Sequence, residues 1–208
     1  MVWHTVPKFV QGLFPNRIWE GDPTGKRVYL TFDDGPVPGI TDFVLNELSK
    51  RNQKATFFMV GDNVRKHPAL ANEVLAQGHQ IGNHTFNHLK GWDTADSVYL
   101  DNVKKCDLVF EEELGVGTDL FRPPYGLIKI SQAKPVLESK RIIMWNVLTG
   151  DYDRSILPSE ILKKSIQMTL PGSIVLFHDQ QKTSEVLPKV LPQYLNFLED
   201  NGFKSALL

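Results

Sequence analysis

The chain has no second cysteine: Cys106 stands alone in 208 residues, which excludes an internal disulfide and any cysteine-rich zinc site. It falls in series with Tyr99, Val103 and Phe110 at helical spacing, as expected of a buried structural thiol rather than a nucleophile. Charge of one sign is also lacking. The formal net charge is -1, with acids and bases interspersed, so nothing points to nucleic acid or an anionic membrane as partner. No apolar run approaches the length needed to span a bilayer. The start of the chain lacks the basic, apolar and small-residue pattern of a secretory signal, so the chain as it stands reads as cytoplasmic. There is no Gly-x-Gly-x-x-Gly or Walker-type loop, no internal repeat and no linker-like segment, which weakens a nucleotide-binding reading and argues for one domain.

What is present is ample apolar material, 41% of residues, arranged as short β-rich runs alternating with longer helical patterns. Strands are expected over Arg27–Phe32, Ala55–Val60, Gln80–Asn83, Leu120–Phe121, Ile142–Val147, Ser173–His178 and Phe203–Leu207. Several are nearly continuous apolar runs, as in strands covered on both faces. Helices are expected over Thr41–Arg51, His67–Gln77, Thr94–Leu114, Ser159–Thr169 and Ser184–Asp200, the last starting late or kinked because of Pro188 and Pro192. About seven strands interleaved with helices give an α/β fold with a parallel sheet, either doubly wound or closed into a barrel. Residues 1–25, broken by Pro7 and Pro15, read as a strap packed on a domain of residues 26–208.

The chemistry-bearing residues collect at the C-terminal ends of these strands, the edge that carries active sites in parallel α/β architectures. Thr31-Phe32-Asp33-Asp34-Gly35-Pro36 sets two adjacent carboxylates at one strand end. Such a pair is unfavourable without a cation, although a solvated Asp-Gly turn is the competing reading. His84 and His88, four apart, can face one cation, and with Asp34 they make a two-nitrogen, one-oxygen site suited to zinc or a similar divalent ion. Arg122 sits on a proline-fixed loop, Arg122-Pro123-Pro124-Tyr125-Gly126. His178 follows a buried strand, with Asp151 as an orienting carboxylate. His4, His67 and His79 lack comparable settings and are assigned surface or capping roles.

Thr-Phe-Asp-Asp-Gly-Pro, His-Thr-Phe-Asn-His, Arg-Pro-Pro-Tyr-Gly and Leu176-Phe-His, in this order, resemble the polysaccharide deacetylase family (carbohydrate esterase family 4, the NodB homology domain), over roughly Lys26 to Leu208. The resemblance implies a distorted (β/α) barrel of about seven parallel strands, akin to a TIM barrel. It also implies a divalent metal, commonly zinc, with cobalt or nickel as alternatives, and an acetylated carbohydrate as substrate. By position, it makes Asp33 the general base and Asp34, His84 and His88 the metal ligands. Arg122 would pair with Asp33, the Tyr125 N–H would meet the oxyanion, and His178 would be the general acid tuned by Asp151. Leu176 would line the acetyl pocket.

One motif departs from the family pattern. The chain reads Trp145-Asn-Val-Leu148-Thr-Gly-Asp151-Tyr152, with Leu148 in place of an aspartate and Tyr152 in place of a tryptophan that walls the acyl site. Trp145 and Tyr152 are therefore substrate-side candidates. The function implied is metal-dependent removal of N-acetyl groups from amino sugars of a peptidoglycan- or chitin-like glycan. A related hydrolase of a formamide or other small amide, and a non-catalytic carbohydrate-binding descendant, are the alternatives.

Overall fold

A computed structural model describes residues 4–208; of the expected N-terminal strap, residues 1–3 lie outside the described residues. The strands are β1 (Arg17–Ile18), β2 (Arg27–Asp33), β3 (Thr56–Met59), β4 (Gln80–Asn83), β5 (Leu120–Phe121), β6 (Arg141–Ile143), β7 (Val147–Leu148), β8 (Ile174–His178) and β9 (Lys204–Ser205). The helices are α1 (Lys8–Gly12), α2 (Thr41–Ser49), α3 (Gly61–Lys66), α4 (Pro68–Ala76), α5 (Asp96–Leu114), α6 (Ile130–Val136), α7 (Pro158–Met168) and α8 (Leu187–Asp200). The strands run in the order β1-β6-β5-β4-β3-β2-β8-β7, every neighbouring pair parallel, with β9 alongside the start of β2.

The expected strand Ile142–Val147 is split. Its first half pairs at one margin of the sheet and its second half at the other, so Met144-Trp145-Asn146 crosses between them. Met144 N–H donates to Ile18 O and Asn146 N–H to Ile174 O. The N-terminal segment spans the same gap: β1 lies on β6, while Thr5 bridges to Val147 and Glu20 to Ser173. These connections draw the two margins together into a distorted barrel.

The period of two in a strand then places the site. Val28, Leu30 and Phe32 of β2 pack in the main core, where α2, α4 and α8 contribute Leu48, Val74 and Leu195. Tyr29 faces the other way and joins Phe58, Leu120, Ile143 and Ile174, one residue from each of five strands. Thr31 and Asp33 share Tyr29's face, so the barrel interior passes from an apolar floor to polar groups at the strands' C-terminal mouth.

α8 begins at Leu187, with Pro188 in its first turn where no N–H is needed. Pro192 lies inside it, a position that costs about 3 kcal/mol. The helix nonetheless continues, because burying Val190, Leu191, Tyr194, Leu195 and Leu198 contributes roughly 1.5–3 kcal/mol per large side chain. His79 corrects the sequence reading: it is 5% exposed, not a surface residue. Its Nδ1 accepts the Ala55 N–H at 3.2 Å and its ring sits edge-on to Phe57.

Candidate active site

At the mouth of the barrel a cavity of about 590 Å³ is lined by Asp33, Asp34, His84, His88, Tyr125, Trp145, Leu148, Tyr152, Leu176 and His178. Arg122 and Asp151 stand behind its wall, both fully buried. All the residues singled out from the sequence are thus brought to one place.

Arg122 is the anchor. Its Nη1 donates to Asp33 Oδ1 at 2.7 Å and to Thr31 Oγ1 at 2.8 Å. Nε and Nη2 donate to the carbonyls of Ile143 and Met144, and the guanidinium lies 4.1 Å over the Phe58 ring. Burial pulls its pKa down, and the Asp33 carboxylate opposes that shift. One oxygen of Asp33 is therefore fixed, while Oδ2 lies 3.7 Å from His84 Nε2.

His84 Nδ1 lies 2.7 Å from the Arg122 carbonyl oxygen. A carbonyl only accepts, so Nδ1 carries the proton, and in the neutral ring Nε2 presents a lone pair. That lone pair is 3.4 Å from Asp34 Oδ1, with His88 Nε2 3.0 Å from the same oxygen. Asp34 Oδ1 is nevertheless buried without a hydrogen bond of acceptable angle. Three donor atoms within 4.8 Å of one another, with an orphaned buried oxygen among them, are what a cation would satisfy. The set of two imidazoles and one carboxylate fits a divalent ion such as zinc.

His178 Nδ1 and Asp151 Oδ1 are 2.8 Å apart, and the His178 N–H donates to Asp151 Oδ2 at 2.8 Å. Burial works against the imidazolium, but Asp151 first, then Asp34 and Asp33, outweigh it and push the pKa up to about 9. The Tyr152 ring stands edge-on to His178, with centroids 5.1 Å apart. Tyr125, held at φ 60, packs its exposed ring on His88. Gly126 follows at φ 70, and a Cβ there would lie 2.8 Å from the Trp145 ring, so this position needs glycine twice over.

Of six non-glycine residues with positive φ among the described residues, four (Asp34, Thr85, His88 and Tyr125) are in or beside this cavity. Such clustering is typical of sites whose geometry is over-determined by their surroundings. Sequence reasoning gave no role to Asn63, whose Nδ2 donates to the Asp34 carbonyl at 2.7 Å, nor to the rim residues Gln180, Gln181 and Lys182. It also gave none to Asp179, a buried carboxylate whose pKa desolvation raises to about 8 against the opposing Thr41 hydrogen bond. Asn63 went unnoticed because α3 has too few residues to show a period.

The polysaccharide deacetylase family matches residues 20–138. A peptidoglycan-N-acetylglucosamine deacetylase of Bacillus cereus is 33% identical over 80% of this chain, which spans 62% of that relative's length. A crystal structure of a peptidoglycan N-acetylglucosamine deacetylase bound to an N-oxidanyl-benzamide superposes with a TM-score of 0.84 at 30% identity, covering 98% of this chain and 95% of that one. A pseudoenzyme of the CE4 family from Bacillus anthracis superposes with a TM-score of 0.82 at 26% identity, covering 92% of this chain and 67% of that one. By the family match, the identity and the shared fold, the chain belongs to the polysaccharide deacetylase family, carbohydrate esterase family 4.

Proposed function

We propose that this protein hydrolyses N-acetyl groups of amino sugars in a peptidoglycan- or chitin-like glycan, using a divalent metal, zinc by preference. The observation that carries the reading is that an Arg122-anchored carboxylate and an Asp151-anchored imidazole face one cavity together with the Asp34, His84 and His88 cluster. Because a relative of the same fold is a pseudoenzyme, fold alone decides nothing, and the argument rests on these side chains.

When bound by Asp34, His84 and His88, the metal would supply Lewis acidity for the acetamide carbonyl. Asp33 takes the proton of the attacking water through Oδ2, since Arg122 holds its other oxygen. The Tyr125 backbone N–H donates to the oxygen that gains charge. His178, kept as the imidazolium by the Asp151 carboxylate that takes its Nδ1–H, delivers its Nε2 proton to the leaving nitrogen. Without this transfer an amide C–N bond would have to expel an amide anion. Leu176, Leu148, Trp145 and Tyr152 line the cavity and would receive the acyl methyl group.

Acetate release from N-acetylglucosamine oligomers and from peptidoglycan tests this, with chelator and with zinc restored. Release that chelator abolishes and zinc recovers supports the reading. A zinc-loaded protein inert on a broad panel of acetylated glycans would move it to the carbohydrate-binding alternative.

A further inference from the structure

Asp179 has no part in the chemistry above, yet its carboxylate is fully buried at the end of β8. Oδ1 accepts the Gly35 N–H at 3.1 Å, and Oδ2 accepts the Thr41 hydroxyl at 2.6 Å. Thr41 Oγ1 in turn accepts the Val37 N–H at 2.8 Å, and the Asp179 N–H donates to the Asp33 carbonyl at 3.0 Å. Every one of these bonds ends on the residues that surround the Asp33-Asp34 turn. A buried carboxyl group is costly unless its hydrogen bonds are met, and these bonds show what it holds in place.

The turn needs holding. Asp34 stands at φ 83, a backbone region that costs a non-glycine residue about 1–2 kcal/mol. Its N–H reaches Phe58 O at 3.2 Å and its carbonyl takes the Asn63 amide, which leaves the other end of that same peptide, the Gly35 N–H, to Asp179. A Cβ on Gly35 would lie 2.1 Å from Asp179 Oδ2. Glycine at this position is therefore dictated by the carboxylate packed against it, and not by a left-handed backbone.

We propose that Asp179, with Thr41 as its partner, is a positioning residue that fixes the Asp33-Asp34-Gly35 turn, so that Asp33 faces the cavity and Asp34 faces the two imidazoles. This rests on the roles given to Asp33 and Asp34 above. Asp179→Ala removes both acceptors, whereas Asp179→Asn keeps one for the Gly35 N–H. Thr41→Val removes the hydroxyl at nearly constant volume, whereas Thr41→Ser keeps it.

The test measures the zinc dissociation constant by competition with a chelating dye, kcat and KM on N-acetylglucosamine oligomers, and thermal unfolding of the metal-free protein. Asp179→Ala and Thr41→Val are expected to weaken zinc binding about 10–100-fold. They should lower kcat to a similar degree, with KM within about threefold of the parent. Asp179→Asn and Thr41→Ser should recover most of both losses. A folded Asp179→Ala protein with parental zinc affinity and kcat would overturn the proposal. Should that variant not fold, the Thr41 pair decides, and equal losses in Thr41→Val and Thr41→Ser would overturn it. Zinc affinity is read without substrate, so a wild-type protein that binds zinc, loses it in these variants and deacetylates no glycan keeps this inference while losing the proposed activity.

Discussion

Asp33 and Asp34 are adjacent in the chain and chemically identical, and their surroundings differ. Asp33 points into the barrel, where Arg122 takes one of its oxygens. Asp34, turned by its positive φ, points at His84 and His88. His178 depends in the same way on Asp151. Because the proposed role of His178 as general acid requires its protonated form, kcat should fall as pH rises through its pKa. Asp151→Asn is expected to move that alkaline fall down by about 1–3 pH units, the effect of removing a nearby opposite charge. A pH–kcat profile that keeps its alkaline limb in the variant would remove Asp151 from this role. At this scale the sequence was readable, because each of these groups belongs to a short motif with distinctive neighbours. Asp179 and Asn63 were not, because a buried carboxylate that braces a turn looks, in sequence, like any acid after a strand.

At the scale of elements, continuous apolar runs marked the buried strands, and the helix pattern located α2, α4, α5, α7 and α8 to within a few residues. α3 and α6 escaped because each is too short to repeat an apolar face, and Pro135 inside α6 argues locally against a helix. The division of Ile142–Val147 into β6 and β7 was invisible because β-branched apolar residues stand at both ends of the run and only their partners differ. The crossing between them carries Trp145, which packs against the Gly126 turn. Gly126→Ala forces a side chain into φ 70 and against that ring. It should cost about 1–3 kcal/mol of stability, read from denaturant midpoints, together with a loss of kcat/KM. A variant with parental stability and rate would show that the Tyr125 turn tolerates movement.

At the scale of the molecule, barrel closure falls to the segment least regular in sequence. Thr5, β1 and Glu20 tie opposite margins of the sheet. Removing residues 1–20 is therefore expected to lower the thermal midpoint by several degrees, and an unchanged midpoint would show that β6, β7 and β8 close the barrel unaided. Acid sensitivity has a separate source in His79. Burial first, and Lys54 second, lower its pKa from 6.5 to about 4. The unfolded chain thus binds this proton more readily, and the stability gained by keeping His79 neutral is present above pH 6.5 and lost as pH falls toward 4. The full loss is on the order of 3 kcal/mol by linkage. Unfolding free energies from pH 7 to 4 should show this slope, and His79→Gln, which retains an acceptor for the Ala55 N–H, should flatten it.

The division of labour between the two aspartates is tested most directly in Asp33→Asn, by measuring bound zinc and acetate release on the same preparation. Zinc affinity should stay within about threefold of the parent, while acetate release falls by roughly a hundred- to ten-thousand-fold, the contribution of a well-placed base. Loss of zinc from this variant, or turnover that survives the substitution, would contradict the account.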